Sequence, residues 1–180
     1  MITGDPEMIT NIALENFNLS GIHFTGSTHV FKEIWSKVGA NISKYKDYPR
    51  IVGETGGKDF IIAHKSAVAA EVGTAISRGA FEYQGQKCSA ASRAYIPSNL
   101  WDNVKNQIIA DTKSFKMGSP ENTSNFINAV ISEKAFDSIA SYIDYAKSAD
   151  DAQIIAGGNY EKSIGYFIEP TIITTNNPKF

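Results

Sequence analysis

Stretches with apolar residues at helical spacing alternate along this chain with short runs rich in β-branched and aromatic residues. That alternation restricts the fold more than any other feature. A repeated strand, helix, strand order buries the apolar side of each element when the helices cover a sheet, so it specifies an α/β fold on a largely parallel sheet. Asp5-Pro6-Glu7 reads as a helix start, with Asp as cap, Pro at the first helical position and Glu in the first turn, for a helix reaching about residue 16. A strand over 19–25 follows. Gly26-Ser27 then opens a helix in which Val30, Phe31, Ile34, Trp35, Val38 and Ile42 recur at helical spacing. Residues 50–53 and 59–63 read as short strands around the Gly56-Gly57 turn, 67–83 as an alanine-rich helix, and 93–96 as a strand. Residues 100–115 and 133–147 read as amphipathic helices, and 153–156 and 166–173 as returns to the sheet.

At 180 residues and 42% hydrophobic content the chain can bury a core, and its length suits one ordinary domain or two partial ones. A net charge of −2 with scattered basic residues gives no electrostatic footprint for nucleic acid or an anionic membrane. No apolar run approaches the roughly 18 residues of a membrane span, and Met1-Ile2-Thr3-Gly4 does not open a signal or transit peptide. The one cysteine cannot form an internal disulfide, and with three separated histidines it makes no recognisable metal site. A reducing compartment is expected: the cytoplasm, or the mitochondrial matrix in a eukaryote.

Three short motifs carry the chemistry. At Phe24-Thr25-Gly26-Ser27-Thr28 a strand turns into a helix, whose unpaired N–H groups and partial positive charge suit a phosphate that the glycine lets come close. The same residues also describe a plain turn and cap. No Gly-x-Gly-x-x-Gly fingerprint is present, so an ordinary dinucleotide-binding assignment fails. In Gly53-Glu54-Thr55-Gly56-Gly57-Lys58 a carboxylate precedes a glycine pair; the spacing is one residue short of a phosphate-binding loop, and Asp59 stands where Ser or Thr would hold magnesium. An arbitrary glutamate there is usually a surface carboxylate. The third motif, Gly85-Gln86-Lys87-Cys88-Ser89, contains the lone thiol. Lone cysteines are often inert core residues, but Gln84-Gly85-Gln86-Lys87 is polar and flexible and lies between an apolar helix and a new strand, which places the thiol at a cleft. Lys87 is positioned to favour a thiolate, and Ser89 to bond a substrate carboxylate. His23, His29 and His64 have no spacing that marks a catalytic partner for Cys88.

In order and spacing these motifs, with Phe81-Glu82-Tyr83 ahead of the thiol, resemble the aldehyde dehydrogenase superfamily. Within it, YPRIVGETGGKDF (48–60) and FEYQGQKCSAASRAYIP (81–97) resemble the 1-pyrroline-5-carboxylate dehydrogenases. The resemblance implies an aldehyde dehydrogenase-like α/β fold, with part of a Rossmann-type NAD-binding domain over 1–54 and part of an α/β catalytic domain over 55–180. It implies NAD as cofactor, bound without the usual fingerprint by Gly26, Ser27, Thr28, His29 and Val30, with Gly56 against the nicotinamide end. Cys88 matches the family's nucleophile and Glu54 its general base, while Lys87 and Ser89 fall where substrate contacts are expected. The implied reaction is oxidation of glutamate γ-semialdehyde to glutamate in proline catabolism, through a thioester on Cys88. The family's upstream oxyanion-hole asparagine and downstream Glu-x-Phe motif have no counterpart, so the chain is expected to be an internal fragment, inactive alone, of a homo-oligomeric parent. Another aldehyde specificity, a Cys-dependent hydrolase and a catalytically silent structural protein remain as alternatives.

Overall fold

The computed structural model describes residues 1–180. The chain divides into two compact units, Met1–Gly57 and Lys58–Phe180.

In the first unit, α1 (Pro6–Leu14) starts as the sequence expects: Asp5 is the cap, and its carboxylate accepts from the Met8 N–H at 2.7 Å. The helix stops at Leu14, two residues earlier than expected, where Leu14 enters the core. Strand β1 (Gly21–Gly26) leads into α2 (Thr28–Ala40), and the chain returns in β2 (Arg50–Thr55), parallel to β1. Of the helical apolar positions, Ile34 and Val38 are buried with Leu14 and Tyr45, and Leu19, Ile22, Phe24 and Ile51 pack around them. Trp35 and Ile42 stay at least half-exposed. The Tyr45 hydroxyl donates to the Leu14 carbonyl at 2.6 Å and so satisfies its one buried polar atom. Gly53 is set by contact: a Cβ there would collide with the Phe31 ring, so the missing side chain lets Phe31 lie against β2. Phe31 also stacks on Phe24, with ring centres 5.9 Å apart.

The second unit opens with a further parallel pair, β3 (Asp59–Ile62) and β4 (Ala91–Tyr95), joined through α3 (Ala69–Phe81). Helix α4 (Ser98–Ser114) lies against α3, and Ile76, Leu100, Val104 and Ile108 form the core with Ala63. The close approach is made at Gly73, where a Cβ would come within 2.9 Å of the Gln107 side chain. Across the same contact the Ser77 hydroxyl donates to Asp111 at 2.8 Å. Helix α5 (Glu133–Ser148), capped by Ser132, then buries Phe136, Ala140 and Ile143 against Val130 and Ile168.

The C-terminal strands differ from the expectation. The run over 166–173 is two short strands, β7 (Phe167–Ile168) and β8 (Ile172–Thr175), separated by Glu169-Pro170-Thr171. Pro170 has no N–H to continue a ladder. In its place the Thr171 hydroxyl bridges the gap, accepting from Gly158 N–H and donating to the Glu169 carbonyl. Strand β8 pairs antiparallel with β5 (Ala152–Ala156), and β7 pairs antiparallel with β6 (Tyr160–Glu161), a strand the sequence did not reveal. The expected largely parallel sheet is thus four two-stranded ladders, of which only β1–β2 and β3–β4 are parallel.

Ile108 is 3% exposed in the core between α3 and α4. Ile108→Ala is expected to cost about 2–5 kcal/mol, by lost burial and the cavity it leaves, with a lower urea midpoint and an unchanged slope. A loss under about 0.5 kcal/mol would mean that the two helices do not form the core described.

Candidate functional site

Parallel register brings one set of expected residues together in the first unit. Thr25 lies beside Glu54 and Gly26 beside Thr55, so the glutamate neighbours the edge where β1 turns into α2. The carboxyl ends of adjacent parallel strands are where open α/β sheets hold ligands. Ser27 is extended at φ −74° and caps α2, its hydroxyl accepting from Val30 N–H at 3.2 Å. The N–H groups of Thr28 and His29, in the first turn, have no intrahelical acceptor. Thr28, His29 and Val30 are exposed, and no acidic residue occupies that turn. His29 is tied along the helix to Glu33 at 3.2 Å. This donor set fits a dinucleotide pyrophosphate: free N–H groups at the positive end of a helix, a hydroxyl, and no carboxylate within the first turn itself. Gly26 is required locally, since a Cβ there would meet the Phe24 ring at 2.6 Å. At Gly56 a Cβ would meet nothing within 4 Å, so the backbone there is open to a flat ligand. Glu54 is exposed.

In the second unit the thiol loop depends on a strained turn. The expected helix over 67–83 ends at Phe81, and Glu82–Gly85 form a tight turn. Within it Tyr83 (φ 55°, ψ 36°) and Gln84 (φ 58°, ψ 26°) are left-handed, followed by Gly85 at φ 67°. For the two residues that carry a Cβ this conformation costs roughly 1–2 kcal/mol each. Gly85 has no alternative, because a Cβ there would stand 2.8 Å from the Ala80 carbonyl oxygen. The turn reverses the chain and delivers Gln86 to Ser89 just ahead of β4. Bonds from Lys87 N–H to the Gly85 carbonyl at 2.9 Å and from Ala90 N–H to the Lys87 carbonyl at 3.3 Å bracket the cysteine. Cys88 is a free, exposed thiol, and Ser89 beside it is exposed too.

Lys87 does not stand alone next to the thiol. Its ammonium is 2.9 Å from one oxygen of Glu82, whose other oxygen holds the Arg78 guanidinium. The hydrogen bond from Lys87, and then that from Arg78, hold the Glu82 carboxyl below the ordinary carboxylate range. One carboxylate is therefore shared between two cations, and the positive charge expected to favour a thiolate is only partly offset. Sequence reasoning missed the pairing of Arg78 with Glu82, although their four-residue spacing on a helix was a visible signal, and it missed the left-handed turn. Of the histidines, His23 lies exposed on β1, and His64 binds the Ser66 hydroxyl at 2.8 Å.

The aldehyde dehydrogenase family model matches residues 1–180. Over 181 residues the chain is 48% identical to the mitochondrial delta-1-pyrroline-5-carboxylate dehydrogenase of Dictyostelium discoideum. Over 179 residues it is 43% identical to the mitochondrial protein of the same name from Danio rerio; each alignment takes in 99% of this chain and 32% of the relative. Among solved structures, the Mycobacterium tuberculosis delta-pyrroline-5-carboxylate dehydrogenase bound with NAD matches at a TM-score of 0.94 and 44% identity, over 99% of this chain and 34% of that one. A Thermus 1-pyrroline-5-carboxylate dehydrogenase with bound NAD matches at 0.85 and 29%, over 94% of this chain and 32% of that one. The chain spans about a third of the length of these relatives.

Because its carboxyl is held low, Glu82 contributes stability that is present above the ordinary carboxylate range and is lost as pH falls through its lowered value. A carbon-detected NMR titration should give Glu82 a midpoint below that range. Lys87→Met and Arg78→Met are each expected to move the midpoint upward. A midpoint that stays in place in Lys87→Met would show that the ion pair does not exist in solution.

Proposed function

The chain belongs to the aldehyde dehydrogenase family, and from that membership we propose that the whole protein oxidises L-glutamate γ-semialdehyde, the open form of 1-pyrroline-5-carboxylate, to L-glutamate with NAD, in proline catabolism. The observation that carries the reading is the 43–48% identity, over nearly all of this chain, to proteins named for that substrate. Gly26 to Val30 and Gly56 hold the cofactor in this reading, which supplies the hydride acceptor when bound. Residues 1–54 then serve cofactor binding and 55–180 the thiol chemistry. Lys87 and Ser89 are the proposed contacts to the substrate carboxylate. The whole protein is a homo-oligomer, and it acts in the mitochondrial matrix if its source is a eukaryote and in the cytoplasm otherwise.

The chain's own groups perform two steps. The Cys88 thiolate adds to the aldehyde carbon, and the oxygen that becomes negative is met by the Cys88 backbone N–H, which makes no hydrogen bond within the chain. Once the carbon has lost its hydride the group on sulfur is a thioester. Glu54 takes a proton from water as the water oxygen attacks the acyl carbon, and Cys88 departs as thiolate, leaving glutamate. Sulfur serves both steps, as a strong nucleophile in the first and a ready leaving group in the second.

Three measurements test this. Cys88→Ala in the whole enzyme is expected to abolish NADH formation. Glu54→Gln should give a burst of about one NADH per site and then stall, with Cys88 acylated by mass spectrometry, because hydride loss precedes the step that needs the base. Neither burst nor adduct would remove Glu54 as the deacylating base. Residues 1–180 by themselves should turn over at least 10²–10³-fold more slowly, about the cost of one lost oxyanion donor; NADH production by them at the whole enzyme's rate would contradict this.

A further inference from the structure

We propose that Gln84 and Gln86 are positioning residues: their side-chain amides clamp the left-handed turn to the segment before α5 and thereby set the place of the Cys88 thiol. The proposal rests on the thiol chemistry above for its consequence, but on geometry for its existence. The carbonyl of Tyr83, at the start of the strained stretch, accepts from Gln86 N–H at 3.1 Å and from the Gln86 side-chain amide at 3.3 Å. The Gln84 amide, oriented so that nitrogen faces acceptor and oxygen faces donor, donates to the same carbonyl at 3.0 Å. The other end of each amide reaches one segment. Gln86 Oε1 accepts from Ile131 N–H at 2.9 Å, and Gln84 Oε1 from Asn128 N–H at 2.6 Å.

That segment is a firm anchor. Ile127 and Val130 are 2% and 6% exposed, Val130 N–H donates to the Tyr166 carbonyl at 2.9 Å, and Asn128 Nδ2 donates to the Gly118 carbonyl at 2.9 Å. A strained turn is thus held to a buried support by two groups that each donate at one end and accept at the other. Only a primary amide of this length does both. A carboxylate in its place accepts at both ends and repels the Tyr83 carbonyl. Without the clamp the ion pairs at Glu82 and the Gln86 N–H bond hold the turn less firmly, and Tyr83 and Gln84 can relax toward right-handed backbone, which rotates the loop and moves Cys88, two residues beyond Gln86. The thiol stays reactive but is misplaced for the carbon it must attack.

The test combines amide hydrogen exchange, rapid-mixing NADH kinetics and iodoacetamide alkylation of the Cys88 peptide, all in the whole enzyme. Gln86→Met is expected to raise exchange at Ile131, and Gln84→Met at Asn128, about tenfold or more, with exchange in the core of α4 unchanged. In both variants the NADH burst should slow by about 10–100-fold, as for a thiol misplaced by an ångström, while KM stays within about threefold and alkylation is not slowed. Gln86→Glu keeps an acceptor for Ile131 but has no proton for Tyr83; it should leave Ile131 protected and still slow the burst, and it decides the matter if Gln86→Met does not fold. Unchanged exchange at Ile131 and Asn128 in the methionine variants, or a burst within about twofold of the parent in all variants, overturns the proposal. A parent enzyme that forms no NADH from glutamate γ-semialdehyde sinks the dehydrogenase reading instead, and exchange at Ile131 and Asn128 still decides the clamp.

Discussion

Parallel strands cannot be joined by a tight turn, and the position of every chemical group in this chain follows from that constraint. Each parallel pair, β1 with β2 and β3 with β4, is joined through a helix that carries the chain back to the starting edge. In the first unit the outward crossover leaves the carboxyl end of β1, and the exposed helix start at Ser27 arises there. Because β2 runs the same way, Glu54 arrives at that edge as well. In the second unit the thiol lies on the return side of the crossover, between the end of α3 and the start of β4. The two groups of candidate residues therefore occupy opposite stages of the same strand, helix, strand unit. That is why one is built on a helix start and the other on a helix end.

The two stages carry different physical demands. A helix start has unpaired N–H groups and favourable charge for an anion without any cost in backbone conformation. A helix end that must reverse sharply needs left-handed residues, and here two of three are not glycine. Strain at Tyr83 and Gln84 persists only if their surroundings hold them. The Arg78, Glu82 and Lys87 ion pairs and the two glutamine amides lie on either side of these residues and provide that hold. Around them the packing is ordinary. Helix α3 meets α4 through the small side of Gly73, and α5 buries its apolar stripe against β7.

The sequence by itself determined the elements whose signal is local. Asp5-Pro6-Glu7 opened α1, the apolar spacing through Ile34 and Val38 marked α2, and the motif order placed Cys88, Glu54 and Gly26 to Val30 among the candidate residues, because caps, periodicity and motif spacing depend on neighbours in the chain. Tertiary structure decided what depends on residues far away. Which strands paired with β7 and β8, and in which direction, rested on partners up to 23 residues away, as for Ala152 and Thr175. The left-handed turn was equally hidden: Tyr83 and Gln84 have no intrinsic preference for it, and the groups that stabilise it, the N–H groups of Asn128 and Ile131, lie 44 and 45 positions further along the chain. A hydrogen bond between residues so far apart leaves no periodicity in the sequence, so only the folded chain specifies it.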